Sequence, residues 1–157
     1  MKSTMKKKQL FPIPVFFLFC LMSFAQQTAL LKPAYLKIGD TVAIVAPAGI
    51  VRDSVPINNA IQWLKSWGLH VKLGKYVYNN EHQFSGTDAE RTLDLQTALD
   101  NKNIKAIWCA RGGYGTGRII DNLDFSKFLE NPKWIIGYSD ITVLHSHIHT
   151  LGVETMH

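Results

Sequence analysis

Residues 104–117 read IKAIWCARGGYGTG. Ile104 to Ala110 is a short apolar run broken by one lysine, and Arg111 to Gly117 then carries Gly112, Gly113, Gly115 and Gly117. A run of this length suits a strand buried on both faces, as in a parallel sheet. Glycines directly behind a strand let backbone approach a neighbour closely and point N–H groups into a cavity.

The same punctuation recurs on both sides. Upstream, Thr41 to Ala46 (TVAIVA) is a strand run ended by Pro47-Ala48-Gly49, and Leu69 to Leu73 is a further strand candidate. Downstream, Lys133 to Gly137 (KWIIG) leads into Tyr138-Ser139-Asp140. Helical patterns lie between. Ile57, Ala60, Ile61, Leu64 and Trp67 form one apolar stripe, with Pro56 in the first turn and Gly68 at the stop. Thr87-Asp88-Ala89-Glu90 has capping-box spacing and opens a helix to about Asn101, with Ala89, Leu93, Gln96 and Leu99 on one side. Residues 74–86 lack a period and read as loop. Helical turns carry Ile119, Ile120, Leu123 and Phe128, and a last helix runs from Ile141 to about Leu151 before Gly152. Strands alternating with helices imply right-handed crossovers and an α/β parallel sheet.

The chain has 157 residues, 46% hydrophobic and 18% charged, which suits one domain with a real core and excludes a disordered or fibrous protein. Lys and Arg total 17 against 12 Asp and Glu, a formal +5. The excess sits at the front. Lys2, Lys6, Lys7 and Lys8 precede an apolar run from Leu10 to Phe24, and Ser23-Phe24-Ala25 offers small residues to a signal peptidase. Residues 1–25 therefore read as an export signal, residues 26–40 as a leader and 41–157 as the domain. An uncleaved anchor is the competing reading, but Pro12 and Pro14 interrupt a run already short for a span. Phe17-Leu18-Phe19 before Cys20 disfavours a lipoprotein signal. Cleavage removes four cations and no anion, taking the formal charge from +5 to +1. No cluster remains to track phosphates, so nucleic acid is not an expected partner. Of the two cysteines only Cys109 would stay, which excludes an internal disulfide and any zinc motif.

Three constellations could carry chemistry. Ser139 lies between a strand and a helix, where a hydroxyl at a sharp turn would be presented at the carboxyl edge of the sheet with helix N–H groups beside it. The spacing is G-x-S-D and not G-x-S-x-G, and a plain helix cap by Ser139 or Asp140 is the bland alternative. The glycine loop, Arg111 to Gly117, matches neither phosphate-binding pattern in register. It could supply an oxyanion donor or be an exposed turn. His145 and His149 share a helix face, but without H-E-x-x-H or a nearby acid they read as ordinary histidines. Spacing thus supplies a nucleophile candidate without a base.

Phe84-Ser85-Gly86-Thr87-Asp88 with Arg91, then Ile104 to Gly115, then Gly137-Tyr138-Ser139-Asp140 together resemble the LD-carboxypeptidase family of serine peptidases. That family includes murein tetrapeptide carboxypeptidases and microcin C immunity proteins; Ala46-Pro47-Ala48 is similar to its first-strand turn. The resemblance implies a flavodoxin-like or class I amidotransferase-like N-terminal domain followed by a β-rich second domain. It implies a Ser-Glu-His triad with Ser139 as nucleophile and the other two members in the second domain. Val153 to His157 stands where a further strand would begin, and His157 resembles the start of a family His-Gly-Pro segment, so the chain reads as the front of a longer protein.

The resemblance further implies an oxyanion hole from the backbone N–H groups of Asp140 and Gly113. Arg111, Gly112 and Tyr114 would bind substrate, with Arg111 either holding a carboxylate or pairing with Asp140. The expected reaction releases terminal D-alanine from murein tetrapeptide stems with no metal or organic cofactor. This chain alone is expected to be inactive. Hydrolysis of a peptide–nucleotide conjugate and non-catalytic muropeptide binding are the alternatives. The export signal implies a periplasmic location and membrane contact only during export. A homodimer stays open.

Overall fold

The computed structural model describes residues 29–157, so the export signal lies outside the described residues. Four strands form one parallel sheet: β1 (Thr41–Val45), β2 (His70–Leu73), β3 (Ile104–Cys109) and β4 (Trp134–Ile136), in the order β2-β1-β3-β4. Val42 stands beside Val71, Ala43 beside Ile107, and Ile107 beside Ile135. Helices α1 (Val55–Ser66), α2 (Asp88–Asp100), α3 (Thr116–Ile119), α4 (Ser126–Glu130) and α5 (Thr142–Thr150) connect the strands, with 3₁₀ turns at Ile120–Asn122 and Ser139–Ile141. The α/β parallel architecture expected from the strand runs is the one observed.

Strand alternation splits the core in two. Ala43, Val45, Ile107, Cys109 and Ile135 point to the face covered by α2 to α5, where they meet Leu95, Leu99, Ile119, Phe128, Leu144 and Ile148. Val42, Ile44, Ala106 and Trp134 point to the other face, packed with Ile57 and Leu64 of α1 and with Leu69. Central strands with both faces buried are what an unbroken apolar run encodes.

Two helix faces differ from expectation. In α1 only Ile57 and Leu64 are fully buried, and Trp67 is exposed because it is the C-cap residue, beyond the last helical turn. In α2 the buried side is Arg91, Asp94, Leu95, Ala98 and Leu99, while Ala89 and Leu93 are exposed. The helix turns a charged pair inward because both members find backbone partners. Asp94 accepts from the N–H groups of Lys75 and Tyr76 at 3.0 and 2.8 Å. The capping box forms as written, with the Thr87 hydroxyl accepting from Glu90 N–H and the Glu90 carboxylate from Thr87 N–H.

Lys133 is also buried. Its ammonium donates to the carbonyls of Ala98, Leu99 and Asn101 at the end of α2, satisfying acceptors a helix terminus leaves open. Burial pushes its pKa down to about 8.

Candidate active site

Parallel topology brings the loops after β1, β3 and β4 to one edge, at the point where the strand order reverses between β1 and β3. There the chain after β4 passes through Gly137 and an extended Tyr138 into Ser139, which has φ +64°. A non-glycine residue in this left-handed region is uncommon and costs energy, so the surrounding fold must impose it. The 3₁₀ turn and α5 follow at once, leaving Ser139 exposed at a strand–helix corner.

Neither residue caps the helix it opens, since no side-chain cap bond forms at the 3₁₀ turn or at α5. Asp140 reaches across instead and accepts from the N–H of Thr116, at the start of α3, at 2.8 Å. The corner is thereby tied to the glycine loop.

Gly112 is the closest neighbour of the corner. A Cβ there would lie 2.9 Å from Ser139 Cβ, 2.9 Å from the Tyr138 carbonyl oxygen and 3.2 Å from the Asp140 nitrogen. Only glycine fits. Gly113, at φ +110°, then bends the loop toward Gly49, whose N–H donates to the Gly112 carbonyl at 3.1 Å. The loops after β1, β3 and β4 thus touch one another through Gly49, Gly112 and Ser139.

Arg111 and Tyr114 are exposed on this edge, as is Tyr138. Arg111 donates to the Ile50 carbonyl at 2.8 Å. Of its two expected roles, pairing with Asp140 is not made: the Asp140 carboxylate is taken by Thr116, and Arg111 crosses to the loop after β1.

Sequence reasoning gave Arg91 no role of its own, and it organises the site from behind. Its guanidinium is 1% exposed and donates to the carbonyls of Pro47 (2.5 Å), Gly115 (2.9 Å) and Gly86 (3.3 Å), and to the Asp88 carboxylate. It also lies over the Phe84 ring, 4.9 Å from the centroid. One side chain therefore joins the β1 loop, the glycine loop and the segment before α2. Burial pulls its pKa down, opposed by the charge of Asp88. Asp88 also pairs with Arg118 at 2.7 Å, and its carboxyl is held below the ordinary range by Arg118 first and Arg91 second. The sequence signal that could have found it is the Asp88–Arg91 spacing of one helical turn.

His145 donates from Nε2 to the Gly137 carbonyl at 2.9 Å, and its Nδ1 is buried without a partner among the described residues. This bond directs His145 to the base of the corner. Among the described residues no three His, Cys, Asp or Glu side chains gather as a metal site. Cys109 lies under the edge, but burial pushes its thiol up to about 12, so it is no nucleophile at neutral pH.

The arrangement can therefore offer an exposed hydroxyl on a strained corner, the Asp140 backbone nitrogen beside it, and the exposed Arg111 on the same edge. The model of the LD-carboxypeptidase N-terminal domain matches residues 42–157. A probable murein peptide carboxypeptidase of Bacillus subtilis is 44% identical over 127 residues, 80% of this chain and 40% of the relative. The murein tetrapeptide carboxypeptidase of Pseudomonas aeruginosa is 36% identical over 117 residues, 74% of this chain and 38% of the relative. Among solved structures, the microcin C7 self-immunity protein MccF in complex with aspartyl sulfamoyl adenosine superimposes with TM-score 0.73 at 28% identity, over 78% of this chain and 37% of that one. The chain thus spans about two-fifths of the length of these relatives. On the match across residues 42–157 and the fold it shares with solved members, the chain belongs to the LD-carboxypeptidase family, of which it carries the N-terminal domain.

Proposed function

We infer that the full-length protein is an exported serine LD-carboxypeptidase that removes the terminal D-alanine from murein tetrapeptide stems. The observation that carries this reading is Ser139 itself, an exposed hydroxyl at φ +64° on the corner after β4, walled by Gly112. The two curated relatives named for murein peptides support the substrate class.

In the proposed reaction Ser139 Oγ attacks the carbonyl carbon that joins the L-centre of the diamino acid to D-alanine, and a general base takes the hydroxyl proton. The N–H groups of Asp140 and Gly113 hold the oxyanion; one such donor is worth about 2.7–4 kcal/mol of barrier. The carbon–nitrogen bond then breaks, the proton passes to the departing amine, and D-alanine leaves. Water attacks the acyl-enzyme ester and regenerates Ser139. The base and its orienting acid come from residues outside this chain, so residues 1–157 alone turn nothing over. Arg111 binds a substrate carboxylate on the same edge. With residues 1–25 as signal, the enzyme meets its substrate in the periplasm.

The likeness to MccF supports a second reading, hydrolysis of a peptide–nucleotide conjugate, with the exposed rings of Tyr114 and Tyr138 available for stacking. Incubating the full-length protein separately with a murein tetrapeptide and an aminoacyl-nucleotide conjugate distinguishes them. D-Alanine release from the first, lost in Ser139→Ala, supports the leading reading. Cleavage of the second alone supports the alternative. Binding of the murein peptide without cleavage of either leaves a muropeptide-binding module.

A further inference from the structure

The edge of the sheet opposite Ser139 is built differently. Residues 31–40 run along the edge where the strands begin. Leu31 bridges to Val153, Ala34 accepts from the Trp134 indole at 3.0 Å, the Tyr35 ring stacks on Trp134, and Gly39 N–H donates to the Gly68 carbonyl at 2.8 Å. This strap holds apolar side chains outward: Ile38 is 87% exposed, Tyr35 71% and Trp67, next to Gly68, 60%. Ile38 and Trp67 belong to one patch, because the Ile38 side chain lies 3.0 Å from where a Cβ on Gly68 would be. Trp63, one helical turn before Trp67, is exposed as well.

Cations border the patch. A cleft of about 230 Å³ is lined by Tyr35, Lys37, Asp40, Lys102 and Lys105, among others. Its one acid, Asp40, is engaged by the Lys37 N–H at 2.7 Å, and Lys32 lies over the Tyr35 ring nearby. Tryptophan and tyrosine beside lysines are what a membrane–water interface selects, because the rings enter the headgroup layer while ammonium groups meet anionic lipid. Among the described residues no helix is long and apolar enough to cross a membrane, so the contact would be peripheral.

We propose that this edge docks on an anionic lipid surface, with Tyr35, Ile38 and Trp67 in the interface and Lys37, Lys102 and Lys105 over the headgroups. The membrane is then a standing partner and not one met only during export. Docking there turns the Ser139 edge away from the bilayer. The inference does not depend on the chemistry proposed for Ser139.

The test uses the full-length protein with vesicles of phosphatidylcholine, with or without phosphatidylglycerol, containing brominated acyl chains that quench nearby indoles. Quenching is expected with the anionic vesicles, and it should largely disappear in Trp63→Phe/Trp67→Phe, which alters only exposed rings. Lys37→Gln/Lys102→Gln/Lys105→Gln should weaken binding at low salt by at least about tenfold. Equal binding to neutral vesicles, or quenching unchanged in the tryptophan variant, overturns the proposal, since another segment would then make the contact. Concentration-dependent self-association that buries Trp67 without lipid overturns it too, in favour of a second copy of the chain.

Discussion

Gly112 and Ser139 come from loops after different strands and meet so closely that a single added carbon on Gly112 would lie 2.9 Å from Ser139 Cβ. The contact has no slack, because the Tyr138 carbonyl stands equally near on the same side. The glycine loop therefore serves as the mould for the corner that presents the hydroxyl. In Gly112→Ala something in the backbone must shift. Overpacking of this kind costs about 1–3 kcal/mol, and a displacement near 1 Å at a reacting group costs on the order of 100-fold in rate. A denaturant titration and kcat/KM on a murein tetrapeptide should both register the change, with the rate suffering more than the fold.

The left-handed backbone at Ser139 predicts an opposition between stability and activity. Glycine adopts φ +64° without penalty, so Ser139→Gly should raise unfolding stability by about 1 kcal/mol while abolishing D-alanine release. Thermal unfolding of the variant and parent checks the first half. A drop in stability would show that the strain is not stored at this residue.

Arg91 holds three loop carbonyls and one carboxylate, so removing its charge strands the carbonyls of Pro47, Gly86 and Gly115, while Asp88 keeps Arg118. Arg91→Met should cost about 1–3 kcal/mol for each carbonyl it leaves buried without a donor. Arg91→Lys should recover only part of this, since an ammonium cannot match the planar fork that reaches Pro47, Gly86 and Gly115 together. Equilibrium denaturation of both variants separates the charge from the geometry.

What the sequence displayed and what it hid divide along a physical line. The strand runs and the Thr87–Glu90 box were legible because each depends on residues within one turn or one strand. So was the strand–glycine–helix punctuation that puts Gly112 and Ser139 on one edge. The inward face of α2 was not, because Arg91 and Asp94 count as polar in any periodicity and their backbone partners lie in loops far along the chain. Trp67 misled for the converse reason: its position continues an apolar stripe, but the helix ends before it. The Asp140–Thr116 bond is long-range, and no local spacing announces it.

Acid sensitivity follows from Asp88. Hydrogen bonds and charge from Arg118, and then Arg91, keep its native carboxyl below the ordinary value of 3.8. The native state thus takes up this proton less readily than the unfolded chain. The stabilisation is complete above the unfolded value and is lost as pH falls through the depressed native one. Asp88→Asn should lower the melting temperature at neutral pH and flatten its decline on the acid side. A decline identical in both proteins would assign the acid limb to other groups.

The central claim is that Ser139 is the nucleophile, and a fluorophosphonate probe on the full-length protein, followed by peptide mass mapping, tests it most directly. The account predicts one covalent adduct, on Ser139, absent in Ser139→Ala, with D-alanine release lost in step and the unfolding transition preserved. An adduct on another residue, or undiminished D-alanine release by purified Ser139→Ala, would contradict it.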